Sequence, residues 1–183
     1  MTEAIRAERA TVKFFDGLEV EGFRMPSGEF RIGITGASKV LGYSDAWLYL
    51  ALNGKSQKRL EALQGLGFTE KTLNIKSETS TGVRTAETIG LRDFNRLISY
   101  AVFDGKKAAL ALQLALTEMA LNDFFLDAFG EQPLTIDEKR RLFYEAYAAT
   151  ISPENWREMD REEILRLALP GDEEQLQGGR WNA

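Results

Sequence analysis

TVKFFDGLEVEGFRMPSGEFRIGI, residues 11–34, is the stretch on which the fold turns. Residues 11–15 are rich in β-branched and aromatic side chains and lead to Asp16-Gly17, a pair favoured in hairpin turns because both tolerate positive φ. Residues 18–24 return, and Met25-Pro26-Ser27-Gly28 reads as a second turn. Phe30, Ile32 and Ile34 then alternate with Arg31 and Gly33, the period of a half-buried strand. A three-stranded antiparallel meander is predicted.

After it the signals become helical. Thr35 or Gly36 can open a short helix through Val40-Leu41, closed by Gly42. Ser44 is an N-cap candidate for a helix over 45–52, and Ser56 for one over 57–64 with Leu60 and Leu63 inward. Residues 69–83 read as an extended excursion, with Leu73 and Ile75 strand-like, 77–82 a polar loop, and 83–89 a further strand. Leu91, Phe94, Leu97, Ile98, Ala101 and Val102 recur at three and four residues, which predicts an amphipathic helix. Asp104 is then read as the cap of a long helix over 105–128, ended by Gly130. That helix is apolar nearly all round, so either the core or a second copy of the chain covers it. Thr135-Ile136-Asp137-Glu138 is a capping box opening a helix to about residue 149. Ser152-Pro153 and Asp160-Arg161-Glu162-Glu163 announce further helical starts. The expected architecture is α+β: a small antiparallel sheet packed with several helices over 1–130, an acidic helical extension over 131–169, and a fraying tail over 170–183.

The 183 residues carry a net charge of −5 and contain neither cysteine nor histidine. Thiolate metal sites, cysteine nucleophiles and histidine acid–base schemes are thereby excluded. Charge is uneven: residues 1–107 hold 16 basic and 13 acidic side chains, residues 108–183 hold 7 and 15. A polyanion, if one is bound, meets the first half. The charged N-terminus lacks a secretory h-region, and the apolar run 108–116 is too short to span a membrane, which predicts a cytoplasmic protein.

No phosphate-binding glycine loop or nucleophile elbow is present. Asp104-Gly105-Lys106, with Asp93 upstream, and Asp137-Glu138-Lys139 have the carboxylate–lysine spacing of a magnesium nuclease, but both sit where acidic residues routinely begin helices. The reading therefore assigns no catalytic residue, metal or cofactor. Candidate DNA contacts are Lys39, Tyr43, Ser44, Lys55, Lys58, Arg59, Arg92, Arg96, Lys106 and Lys107. Lys55, Lys58 and Arg59 bracket a helix start, where cations and backbone N–H groups can both meet phosphate, and Lys106-Lys107 stand at another. Trp47 is expected in the core.

Two blocks in order, ITGASKVLGYSDA over 34–46 and TIGLRDFNRLI over 88–98, follow the meander and precede Lys106-Lys107 and a long helix. This arrangement, over about residues 11–128, resembles the Bro-N type domain of phage antirepressors and large DNA-virus proteins. The resemblance implies DNA binding or regulatory protein contacts, with Lys39 and Tyr43 on the first block, Ser44 just after it, and Arg92 and Arg96 on the second. The expected function is a non-catalytic, homodimeric DNA-binding or antirepressor-type regulator. The alternatives are an interaction module whose acidic C-terminal helices bind a protein partner, and, more distantly, a magnesium nuclease.

Overall fold

The computed structural model describes residues 5–54 and 56–152. The chain forms one α+β unit with β1 (Ile5–Arg6), β2 (Glu8–Phe15), β3 (Leu18–Arg24), β4 (Phe30–Gly33), α1 (Ile34–Val40), α2 (Trp47–Leu52) and α3 (Gln57–Gly65). Then come β5 (Leu73–Thr79), β6 (Gly82–Gly90), α4 (Leu91–Phe103), α5 (Lys107–Ala128) and α6 (Ile136–Ile151). The meander is β2–β3–β4. Its first turn places Gly17 at φ 101°, and its second is closed by Met25 N–H donating to Glu29 O at 2.8 Å.

The meander is half of a larger sheet. β5 and β6 form a hairpin in register from Leu73↔Thr88 to Thr79↔Gly82, and β6 lies antiparallel beside β4. The order is β1-β5-β6-β4-β3-β2, with β1 running parallel to β5. Residues 77–79, expected in a polar loop, are strand: Ser77 is buried opposite Arg84, and cross-strand pairing outweighs the polar composition.

One side chain ties the two halves. Arg31, buried on β4, donates from Nε to Thr88 Oγ1 (3.0 Å), from Nη2 to Thr88 O (3.0 Å) and Lys71 O (2.7 Å), and from Nη1 to Glu29 Oε1 (2.6 Å). Thr88 Oγ1 donates onward to Leu73 O at 3.0 Å. A guanidinium has five donors in a fixed fork, so it can serve several strands at once where a lysine would not.

The helices start differently from their sequence signals. α1 begins directly at Ile34 with Gly33 as N-cap, and α2 at Trp47 with Ala46 as N-cap. Ser44 instead offers its carbonyl to Trp47 N–H, and Ser56 holds the N-cap position of α3 without a side-chain bond. Asp104 is the C-cap of α4 and not the cap of α5, which Lys106 precedes. Gly105 N–H donates to Val102 O and Lys106 N–H to Ala101 O, so residues 104–106 complete a Schellman ending of α4 rather than starting a helix.

The main core joins Ile32, Ile34, Leu41, Leu48, Leu63, Ile89, Leu97 and Leu112 between sheet and helices. Its last member is Phe143 of α6, which stacks on Phe14 at 5.3 Å and adjoins Phe15 and Tyr147. The predicted capping box is formed: Thr135 N–H donates to Glu138 Oε2 at 2.8 Å and Glu138 N–H to Thr135 Oγ1 at 3.3 Å. Lys139 reaches Asp123 at 2.8 Å and Arg140 Nε donates to Lys13 O at 3.2 Å, fastening α6 across α5 and β2. The described part of the C-terminal extension thus shares the core of the sheet. The helical starts expected at 152–153 and 160–163, and the tail over 170–183, lie outside the described residues.

α5 also corrects the membrane arithmetic. The run 108–116 is short, but the helix continues to Ala128 and is, by length and composition alone, long and apolar enough to cross a membrane. Its first half is committed to the protein core through Ala109, Ala111, Leu112 and Ala115.

Arg31→Ala leaves the carbonyls of Lys71 and Thr88 without this donor and is expected to cost about 3 kcal/mol. Arg24→Ala, which removes an exposed pair with Glu8, costs under about 1 kcal/mol. Urea melts of both variants check the contrast.

Candidate functional site

Two glycine-closed helix ends build the site. α1 ends with Gly42 at φ 83°, Gly42 N–H donating to Lys39 O and Tyr43 N–H to Ser38 O. This is the same Schellman pattern as at Gly105, so Tyr43 and Lys106 hold equivalent positions just past two helices. The ends meet: a β-carbon on Gly42 would stand 3.7 Å from Ala108 Cβ and 3.8 Å from Lys106 Cδ. Lys106 Nζ accordingly sits 4.7 Å above the Tyr43 ring. Ser38, buried inside α1, steadies the corner by donating to Ile34 O at 2.9 Å and accepting from Leu48 N–H at 3.3 Å.

Tyr43 stacks on Trp47 with centroids 4.0 Å apart and planes 14° apart. Trp47 in turn meets Tyr100 of α4 at 5.6 Å and carries the Arg59 guanidinium of α3 over its ring at 5.6 Å. Tyr43 Oη donates to Asp104 Oδ2 at 2.8 Å. Burial first, then this hydrogen bond to Asp104, push the Tyr43 phenol well above its ordinary range; Tyr100 is raised by burial and then by Asp104's charge. The result is an aromatic stack with a cation on two sides and one carboxylate at its edge.

Of the ten predicted contacts, this cluster brings Tyr43, Arg59 and Lys106 together. Lys39 lies in the last turn of α1, Ser44 follows Tyr43, and Lys58 precedes Arg59; all three are exposed. Arg92, Arg96 and Tyr100 succeed one another at four-residue spacing along α4, so the arginines continue the face that Tyr100 presents to Trp47. Arg92 is exposed; Arg96 is half-buried beside Gly67, its Nε without a hydrogen-bond partner among the described residues. Lys107 begins α5, and Lys55 lies outside the described residues.

Trp47 is buried as expected, but its role as the centre of a stack is a tertiary feature. Tyr100 carried no sequence signal beyond standing one turn past Arg96. Asp104 and Asp93, a candidate nuclease pair, do not converge: Asp93 accepts from Thr69 N–H at 2.9 Å and Thr69 Oγ1 at 2.7 Å, while Asp104 serves Tyr43. Among the described residues no group of three or more metal-ligating side chains gathers.

On the sheet, a separate groove of about 640 Å³ is lined by Val12, Phe14, Val20, Ile32, Phe94 and Ile98, with the Glu8–Arg24 pair at its border. Its walls are almost wholly apolar. No protein family, curated protein or solved structure matches the chain.

A phenol whose ionisation is raised on folding stabilises fully below its unfolded value near pH 10, and that contribution is lost as pH rises beyond it. Tyr43→Phe keeps the stack, loses the bond to Asp104, and should cost about 0.5–1 kcal/mol at pH 7. Between pH 10 and 11.5 it should lose stability less steeply than the parent. Urea melts across that range measure the difference, and equal slopes would contradict this account of Tyr43.

Proposed function

We propose that the chain is a non-catalytic DNA-binding regulator of antirepressor type, meeting phosphate through the face shared by α3, α4 and the two glycine-closed turns. One observation carries the reading. Every arginine of the sheet has a carboxylate partner: Arg6 with Glu78, Arg9 with Glu21, Arg24 with Glu8, Arg31 with Glu29 and Arg84 with Glu21. On α6, Arg140 pairs with Asp137 and Arg141 with Glu145. Among the described residues the arginines left without an ion pair are Arg59, Arg92 and Arg96, and all three belong to this one face. Among the described residues Lys39, Lys58 and Lys106 are likewise without a carboxylate within ion-pair distance, as are Lys71 and Lys76 elsewhere. Cations whose charge is not already answered gain most from phosphate and release counterions when they meet it.

The aromatic stack adds a rigid base for that face. Tyr43 and Trp47 hold the charged heads of Lys106 and Arg59 over their rings, so less side-chain freedom is lost on contact. The arginines of α4 rise by about 6 Å per step along the helix, a spacing suited to an extended polyanion. The order of the two sequence blocks supports the same reading through what the Bro-N resemblance implies, and a DNA partner carries with it a cytoplasmic setting. For the rival use of the acidic C-terminal helices as a docking surface, α6 offers little free acid, since Asp137 and Glu145 are paired and Glu138 is spent in the capping box, and the acids beyond residue 152 lie outside the described residues.

Fluorescence anisotropy with a random-sequence duplex, at several salt concentrations, tests the proposal. The parent should bind with an affinity that falls steeply with salt. Arg59→Ala combined with Arg92→Ala should weaken binding about tenfold and flatten the salt slope by about two phosphate contacts. Arg9→Ala combined with Arg84→Ala should change neither. Salt-independent or absent binding by the parent, or equal losses in both double variants, would overturn the reading.

A further inference from the structure

We infer that the outward face of α5 is the docking surface for a second copy of this chain, the two helices running antiparallel about a two-fold axis near Leu121. α5 is divided lengthwise. Its inward positions, Ala109, Leu112 and Ala115, are in the core, while the opposite side carries Leu114 (47% exposed), Leu121 (54%), Phe124 (75%) and Phe125 (64%), followed by Phe129 (77%) just past the helix end. Leu114, Leu121 and Phe125 are spaced by seven and four residues, so they fall in one line, with Phe124 and Phe129 to either side.

Area and shape name the occupant. Side chains of this size and exposure present about 600 Å² of contiguous apolar surface, the upper end of what a monomer ordinarily shows. A specific interface buries about 1,200–2,000 Å² in total, and two such faces together reach the lower end of that range. A straight helical seam with this repeat is complementary to another helix of the same repeat, and a two-fold axis matches the surface to itself. Glu118, the acidic side chain beside the middle of the seam, sets the direction. Parallel helices would press Glu118 against its own copy. Antiparallel helices crossing at Leu121 separate the two Glu118 side chains by about 9 Å along the axis and set each near the other copy's Phe124. The inference uses none of the cations of the proposed DNA face and stands apart from that reading.

Sedimentation equilibrium of the full chain from about 1 to 100 µM should show a dimer, and Leu121→Glu with Phe125→Glu should be monomeric with an unchanged circular dichroism spectrum. Because the chain has no cysteine, single thiols report proximity cleanly. Leu121→Cys should cross-link to its own copy in oxidised glutathione, whereas Val83→Cys, exposed at the β5–β6 hairpin, should not. A monomer throughout the range, whether the seam is bare or covered by the chain's own residues, would overturn the inference. So would a dimer that survives the double substitution, or cross-linking as efficient at 83 as at 121.

Discussion

The buried guanidinium of Arg31 is the constraint on which the rest depends. It occupies the middle of the sheet, where the meander ends and the second hairpin is laid against it, and it bonds to Thr88, to the Lys71 carbonyl and to Glu29 together. A buried charge is tolerated only when its donors are matched, and here four of them are. The match fixes β6 beside β4 and brings in the segment that leads to β5. Because β4 runs without a linker into α1, and β6 into α4, the pairing of two strands also sets the relation of two helices. The site rests on those helices.

Glycine does the second part of the positioning. Gly42 and Gly105 lie at φ 83° and 74°, and each turns the chain sharply at a helix end with two backbone bonds to the last turn. A side chain with a β-carbon disfavours that conformation, and at Gly42 it would also crowd the start of α5. The residues that follow the two glycines, Tyr43 and Lys106, are thereby brought face to face, although 63 positions separate them in the chain. Trp47 of α2 and Arg59 of α3 then fill in around them, with Tyr100 from α4 itself. The aromatic groups are half-buried or buried, Lys106 is half-buried and Arg59 is exposed. That combination makes the corner both a packing joint and a charged surface.

Two faces of the molecule are therefore left with unfinished business, of different kinds. One holds arginines that no carboxylate among the described residues answers; the other is the apolar seam of α5, whose opposite side is already buried. They offer different chemistry, cationic charge in one case and hydrocarbon in the other.

Local signals in the chain were sufficient for much of this. Asp16-Gly17 and the alternation after it determined the meander, the three-and-four spacing determined α4, and Thr135 with Glu138 determined the start of α6, because each depends on neighbours within a few residues. Those signals misled where a distant partner decided the outcome. Asp104 has the composition of a helix start, yet Gly105 and Lys106 bond backward to Val102 and Ala101, making it the end of the helix before. Residues 77–79 are polar and read as loop until the facing strand supplies their backbone partners. The ten candidate contacts could be chosen from residue type and block order, but nothing in the one-dimensional chain says which cations carry carboxylates opposite them. That pairing lies between strands and helices far apart in sequence, as does the stack of Tyr43 on Trp47 with Lys106 above it. By itself the sequence determined the meander, the longer helices, the α+β class and the set of charged candidates, since these follow from local periodicity and residue chemistry. Tertiary structure alone decided the six-strand order, the free arginines and the bare side of α5, since each depends on what lies across space from a residue.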